Sequence, residues 1–389
     1  MKKLLCSVLL LAMTLAAQAE VKLPKIFGDN MVLQQQTECN LWGTADANKV
    51  VKVRASWNGK TYKTQADAQG KWAMKIETPQ AGGPYELSLS DGKELKLHNI
   101  LIGEVWICSG QSNMEMPMKG FKAQPVAGTP EELMLCKDQQ LRLFTVQRNA
   151  QLHPVDTVAG DWKEADAASV REFSAAAYYY GKTLRQSLGV PVGLIVISWG
   201  GSACEAWING NLIKSDWLKA FPKLHTPWNE ADVKKYQQRC PSALYNGMLH
   251  PLIGYTMKGV IWYQGEDNCN RYATYADQMQ TLVNSWRKEW KQGIFPFYYC
   301  QIAPYDYSLI KWKTTVPCFV KSRWRQRSAS ATAVWLYCLM PVWSMASIHV
   351  RRRRWASVWL CFLLPILMVR RDCLISLSTR VLSSRAIPL

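Results

Sequence analysis

Histidine is scarce in this chain: five residues among 389, at His98, His153, His225, His250 and His349. Chemistry that needs an imidazole base therefore has few candidates. No Gly-x-Ser-x-Gly pentapeptide occurs, which argues against the nucleophile elbow of the α/β-hydrolases. No Cys-x-x-Cys pair occurs either. The cysteine spacings show neither a metal pattern nor a disulfide framework, so no metal and no cofactor is expected. Of the 12 cysteines, Cys6, Cys318, Cys338, Cys361 and Cys373 lie near the two ends. The seven between them should be mostly buried thiols, with a bridge or two at most. Long apolar runs are also rare. The run Trp355–Val369 has 15 residues, is interrupted by Pro365, and is short for a membrane span.

The sharpest absence is regional. From Thr314 to Leu389 there is no glycine, no glutamate and no asparagine, whereas all 23 glycines precede it. That stretch carries 12 basic residues, 11 of them arginine, against the single acid Asp372. It accounts for +11 of the net charge of +18 and leaves +7 for an ordinary, mildly basic remainder. The overall charge is thus a poor argument for nucleic acid or another acidic partner. Arg351–Arg354 could bind nucleic acid or acidic lipid, but an exported protein has little access to nucleic acid, and none is expected as a partner.

Export is indicated by residues 1–19. Lys2 and Lys3 precede an apolar run to Leu15, and Ala17-Gln18-Ala19 is a small-x-small cleavage site. This signal peptide places the mature protein in the periplasm or outside the cell, with no membrane span. Residues 20–100 have period-2 patterning. Val51, Val53, Ala55 and Trp57 alternate before Asn58-Gly59, and Tyr85, Leu87 and Leu89 alternate before Asp91-Gly92. A small β-sandwich domain follows from this. It serves packing rather than carbohydrate binding, because no exposed aromatic platform is evident.

Residues 101–310 alternate short buried strands with helical stretches. Strands are expected at Leu101–Cys108, Gly193–Ile197, Gly259–Tyr263 and Phe297–Ile302. Helices are expected over Glu172–Leu188, closed by Gly189, and over Arg271–Trp290. Such an order implies an α/β fold with a parallel sheet covered on both faces. Three strands end in polar turns: Gly110-Gln111-Ser112-Asn113, Ser198-Trp199-Gly200-Gly201-Ser202 and Gln264-Gly265-Glu266-Asp267-Asn268. In an open α/β sheet these ends converge on one crevice. Together they offer a hydroxyl nucleophile, backbone N–H donors, amides and a carboxylate, the set that acyl transfer requires. Taken singly, Ser112 also reads as a helix N-cap, Glu266 and Asn268 as loop caps, and Gly200 and Gly201 as turn formers.

These turns, with the segment Tyr245-Asn246-Gly247-Met248-Leu249-His250-Pro251, resemble the sialate O-acetylesterase family, a branch of the SGNH-type esterases. The resemblance runs from about Val21 to about Tyr307, and three ordered motifs make it specific. It implies a three-layer α/β/α SGNH-hydrolase-like fold preceded by the small β-sandwich. It implies a serine carboxylic ester hydrolase with Ser112 as nucleophile, acting through an acetyl-enzyme. The N–H groups of Ser112 and Gly201 and a side chain from the third turn, Gln264 or Asn268, would form the oxyanion hole, with Gln111 in the same group. Glu266 would be a helper acid or a substrate-orienting carboxylate. The substrate would be an acetylated carbohydrate, sialic acid or a xylan-type glycan. A non-catalytic glycan-binding protein is the rival from another class.

The family resemblance also implies a late Asp-x-x-His-type segment ending Ile-His-Pro, which supplies the general base. None of the five histidines has that context, and His250 belongs to a different family segment. The tail, residues 311–389, explains the gap as translation out of frame. A permitted choice of codons for Met345–Trp359, read from the third base, gives Gly-Ile-His-Pro-Arg-Lys-Lys-Lys-Glu-Val-Gly-Glu-Arg-Leu. A frameshift near residues 308–315 is therefore expected, and with it a chain that lacks its base. His349 lies near the encoded histidine by coincidence.

Overall fold

The computed structural model describes residues 20–300, Ile302 and the backbone of Trp335–Leu336. Residues 1–19, nearly all of 311–389 and His349 lie outside the described residues. Thirteen strands occur among those described: β1 Val32–Gln34, β2 Thr37–Thr44, β3 Val50–Ala55, β4 Thr61–Gln65, β5 Lys71–Thr78, β6 Gly82–Ser90 and β7 Glu94–Gly110; then β8 Asp138–Thr145, β9 Trp162–Ala165, β10 Val192–Ser198, β11 Gly259–Tyr263, β12 Phe297–Cys300 and β13 Trp335–Leu336.

The N-terminal strands form two small sheets. β2 pairs antiparallel with β5, while β4, β3, β6, β7 and β1 make the other. The β3–β4 hairpin turns around Asn58-Gly59, with Gly59 at positive φ, as its sequence predicts. The expected boundary at residue 100 falls inside one strand. β7 is 17 residues long; its first half pairs with β6 and its second half enters the large sheet. From Leu101 to Gly110 every residue of it is buried, so one continuous strand carries the chain from the first unit into the second.

The large sheet has the order β13-β12-β11-β7-β10-β8-β9. Its strands are parallel except β9, which pairs antiparallel with β8 at one edge. Successive strand residues face opposite sides, and the two faces bury different aromatics. On one face Trp106 meets Tyr180 edge-on at 5.3 Å and stacks on Tyr298 at 5.7 Å. Tyr180 comes from the helix Ala175–Leu188, which Gly189 closes in the left-handed conformation. On the other face Trp262 meets Trp286 at 5.9 Å, and Trp286 meets Phe297 at 5.8 Å. Trp286 comes from the helix Tyr275–Trp290. Helices thus cover both sides, giving the three-layer α/β/α arrangement expected of the sequence.

Two expectations are corrected in detail. The stretch Glu172–Leu188 is two helices, Ala167–Glu172 and Ala175–Leu188, because Ser174 caps the second through a bond from the Ala177 N–H. The stretch from Arg271 is not helical at its start. Arg271 sits at φ −133° and ψ 36°, and the regular helix begins at Tyr275. Arg271 leaves the helix because its guanidinium is drawn to two buried acids, described below.

All seven described cysteines between Cys39 and Cys300 are buried thiols without a disulfide. Burial pushes the Cys39 and Cys240 thiols up to about 12. Among the described residues no group of histidine, cysteine and acid has metal-binding geometry, and no helix is long and apolar enough to cross a membrane.

Candidate active site

β7, β10 and β11 end level with one another. Gly110 is in register with Ser198 on one side and Tyr263 on the other. The three polar turns therefore leave the sheet side by side. Backbone bonds tie them at the exit: Trp199 N–H to Gly110 O at 3.2 Å, and Gln111 N–H to Tyr263 O at 2.9 Å. Gly110 has φ +142°, and a Cβ there would stand 2.1 Å from the Tyr263 carbonyl oxygen. Only glycine lets the first turn fold over β11 so closely.

Ser112 opens the one-turn helix Ser112–Glu115 and is half-buried at the crevice. The second turn lies against it, since a Cβ on Gly200 would stand 3.5 Å from the Ser112 Cβ. Gly201 follows at φ +72°, a conformation that aims successive N–H groups to one side. Among the described residues neither the Ser112 N–H nor the Gly201 N–H has a hydrogen-bond acceptor. Two backbone donors beside a serine hydroxyl are what a tetrahedral oxyanion needs.

The third turn is joined to the first by two side chains. Gln111 Oε1 accepts the N–H groups of Gly265 at 3.2 Å and Asp267 at 3.4 Å. Asn113 Nδ2 donates to Glu266 Oε1 at 2.7 Å. Glu266 is thus held over the residue that follows Ser112, half-buried and at the crevice.

Gln264 and Asn268 have a different part from the one expected. Both are fully buried. Gln264 Nε2 donates to Ser202 O at 3.0 Å and to Asn268 Oδ1 at 2.7 Å. Asn268 Nδ2 donates to Glu205 Oε2 at 2.9 Å and to Gln278 Oε1 at 3.1 Å. With both N–H bonds of each amide engaged, neither supplies the third oxyanion donor. They bind the second and third turns together from behind.

Behind them lies an ionic network whose two acids are buried. Glu205 is inaccessible to solvent and accepts Arg271 Nε at 3.0 Å. Arg271 also reaches Asp267 Oδ2 at 2.8 Å, and Asp267 accepts Arg239 Nε at 2.7 Å. Burial works against the Arg271 charge, but the two carboxylates outweigh it and hold its pKa above that of an ordinary arginine.

Two residues of the site escaped the sequence reading. Glu115 Oε2 accepts the Gly200 N–H at 2.7 Å, and its Oε1 accepts Arg148 Nε at 2.7 Å. Glu115 therefore fixes the second turn against the first. The signal for it was its place three residues after Ser112. Arg148 follows β8, whose carboxyl end shares the edge, but β8 was not recognised as a strand.

No described histidine is hydrogen-bonded to Ser112. His98 Nδ1 lies 3.0 Å from Glu86 Oε1, His225 Nδ1 lies 2.9 Å from Asp232 Oδ1, and His250 Nδ1 lies 3.1 Å from Val155 O. His153 is exposed.

Residues 102–317 match the family described as carbohydrate esterase, sialic acid-specific acetylesterase. The crystal structure of a carbohydrate acetylesterase from Xanthomonas citri is 30% identical, covers 86% of this chain and 72% of its own, and superposes with a TM-score of 0.74. This chain belongs to that carbohydrate esterase family. Sialate O-acetylesterase of Rattus norvegicus is 28% identical over 73% of this chain, and that of Homo sapiens 29% over 77%. The chain spans 62% and 59% of the length of those two relatives. The three turns around Ser112 all fall within the stretch matched to the esterase family.

Proposed function

We propose that this protein is a serine esterase that removes O-acetyl groups from sialic acid or a related acetylated carbohydrate. The observation that carries the reading is the packing of the Gly200–Gly201 turn on Ser112, with two N–H donors that have no acceptor among the described residues. In the proposed reaction the Ser112 Oγ attacks the acetyl carbonyl carbon and its proton passes to a base. The carbonyl oxygen becomes the oxyanion held by the Ser112 and Gly201 N–H groups. Collapse breaks the ester bond, the sugar oxygen takes the proton, and acetyl-Ser112 remains. Water then adds to the acetyl carbon and releases acetate. Glu266, pinned by Asn113, orients the sugar or the attacking group.

The base is the missing part. Family matching ends at residue 317, close to Thr314, where glycine, glutamate and asparagine disappear from the sequence. This supports a frameshift near residues 308–315 and a chain impaired for want of its Asp/His segment. It also leaves open a pocket that binds a glycan without cleaving it. Export to the periplasm or beyond, after removal of residues 1–19, completes the reading. Resequencing the gene from about codon 295 past the stop tests the frameshift. Acetate release from O-acetylated sialic acid against acetylated xylan tests the substrate. With the frame restored beyond codon 308, equal rates on both, or glycan binding without any acetate release, would count against a sialate esterase.

A further inference from the structure

The proposed reaction uses three strand ends, but a fourth reaches the same edge. β8 runs parallel to β10, and the Val146 N–H extends the pairing to Val196 O at 2.9 Å. Arg148 follows at once and stands at the mouth of the crevice. Three contacts fix it there. Its Nε donates to Glu115 Oε1, Glu115 in turn holds the Gly200 N–H, and the guanidinium lies 5.4 Å from the Trp199 ring centroid. The Glu115 side chain is only 15% exposed, so this is no loose surface pair; Arg148 is 52% exposed. Among the described residues its Nη1 and Nη2 have no partner. A guanidinium held through Nε and lying over an indole keeps those two nitrogens as a fork, which matches a carboxylate.

We propose that Arg148 binds the carboxylate of an acidic sugar and so selects sialic acid esters over neutral acetylated glycans. The proposal rests on the esterase reading above and names its substrate class. Glu115 Oε2 would stand 2.9 Å from a Cβ on Gly200, and the Ser112 Cβ only 3.5 Å from that same position. One side chain, Glu115, thus joins Arg148 to the glycine turn that packs on Ser112. Glu115 neutralises part of the charge, which suits a monoanion that must leave again. Xylan-type backbones carry no group for this fork. Glu115 is a positioning residue here, acting through Arg148 and Gly200.

Binding tests this without needing the general base. The full 389-residue chain is titrated calorimetrically with the methyl glycoside of N-acetylneuraminic acid and with the methyl ester of the same sugar. The wild type should bind the acid roughly tenfold or more tighter than the ester, the effect of a lost charge-assisted pair. Arg148→Gln should remove that preference by weakening the acid alone, and Arg148→Lys should restore part of it. Equal wild-type affinity for acid and ester overturns the proposal even if Arg148→Gln does not fold, and leaves the esterase reading standing. Binding of acetylated xylo-oligosaccharides with no binding of either sialoside overturns the sialate reading together with it.

Discussion

Two glutamate–arginine pairs stand at the same edge of the sheet, and they differ in almost everything but composition. Glu205–Arg271 is sealed, with side-chain exposures of 0% and 18%; Asn268 and Gln278 donate to Glu205, and Arg271 lies over the Phe221 ring. Glu115–Arg148 is open on one side, at 15% and 52%. The sealed pair is a brace. It holds the second and third turns in register from behind, with Asp267 and the amides of Asn268, Asn270 and Gln278 as its polar side-chain partners. The open pair touches the proposed site through the Gly200 N–H, and its arginine is half in solvent. An ion pair's burial thus separates what holds a site from what meets its ligand.

The same substitution in each pair should give unequal results. Arg271→Gln leaves Glu205 buried without its cation and Asp267 with Arg239 alone, and should destabilise the fold by about 3–5 kcal/mol. Urea melts measure this; a loss below about 1 kcal/mol would make the two pairs alike. His225–Asp232 is an intermediate case. Asp232 is buried and accepts His225 Nδ1 at 2.9 Å and the Asn229 N–H at 2.9 Å, closing the capping box of the helix Glu230–Tyr236. Burial alone would raise its pKa, but those bonds hold it below the ordinary aspartate value. A carboxylate with a depressed folded pKa stabilises above its unfolded pKa, and that contribution is lost as the pH falls through the folded value. Asp232→Asn should therefore cost about 1–2 kcal/mol at neutral pH, a penalty that shrinks below about pH 4. A penalty that grows on acidification would reverse the assignment.

Arg148→Gln should change stability by less than about 1 kcal/mol, because the pair is half in water. The smallest effect concerns thiols. Cys204 and Cys269 adjoin the sealed network and are buried. Mass spectrometry after treatment with a thiol reagent should find neither labelled in the native protein or in Arg148→Gln, but both labelled in Arg271→Gln. Labelling in the native state would show that the network does not exclude solvent.

The sequence made the three turns legible because each follows a run of apolar residues with an abrupt change to small and polar ones. The hairpin at Asn58-Gly59 and the helix end at Gly189 were legible from backbone chemistry. What stayed hidden had physical causes. β8 contains Arg142, a charge that reads as surface; in the fold it is buried and satisfied by Gln139 O, Asn30 and Asn99. With β8 unseen, Arg148 had no place at the edge. Gln264 and Asn268 read as oxyanion donors because sequence shows an amide's presence and not which partners already engage it. That one strand runs through the boundary at residue 100 does not show in the sequence, because β7 changes from alternating to wholly buried without breaking.

The central claim is that Ser112 and its two backbone donors form an acetyl-transfer site that lacks its base in the chain as written. It is tested most directly by acetate release from O-acetylated sialic acid, measured for this chain, for a version with the frame restored beyond codon 308, and for Ser112→Ala in that version. The account predicts near-zero turnover as written, turnover on restoring the frame, and a loss of at least about 10³-fold with Ser112→Ala. Full turnover by the chain as written, or acetate release that survives Ser112→Ala, would contradict it.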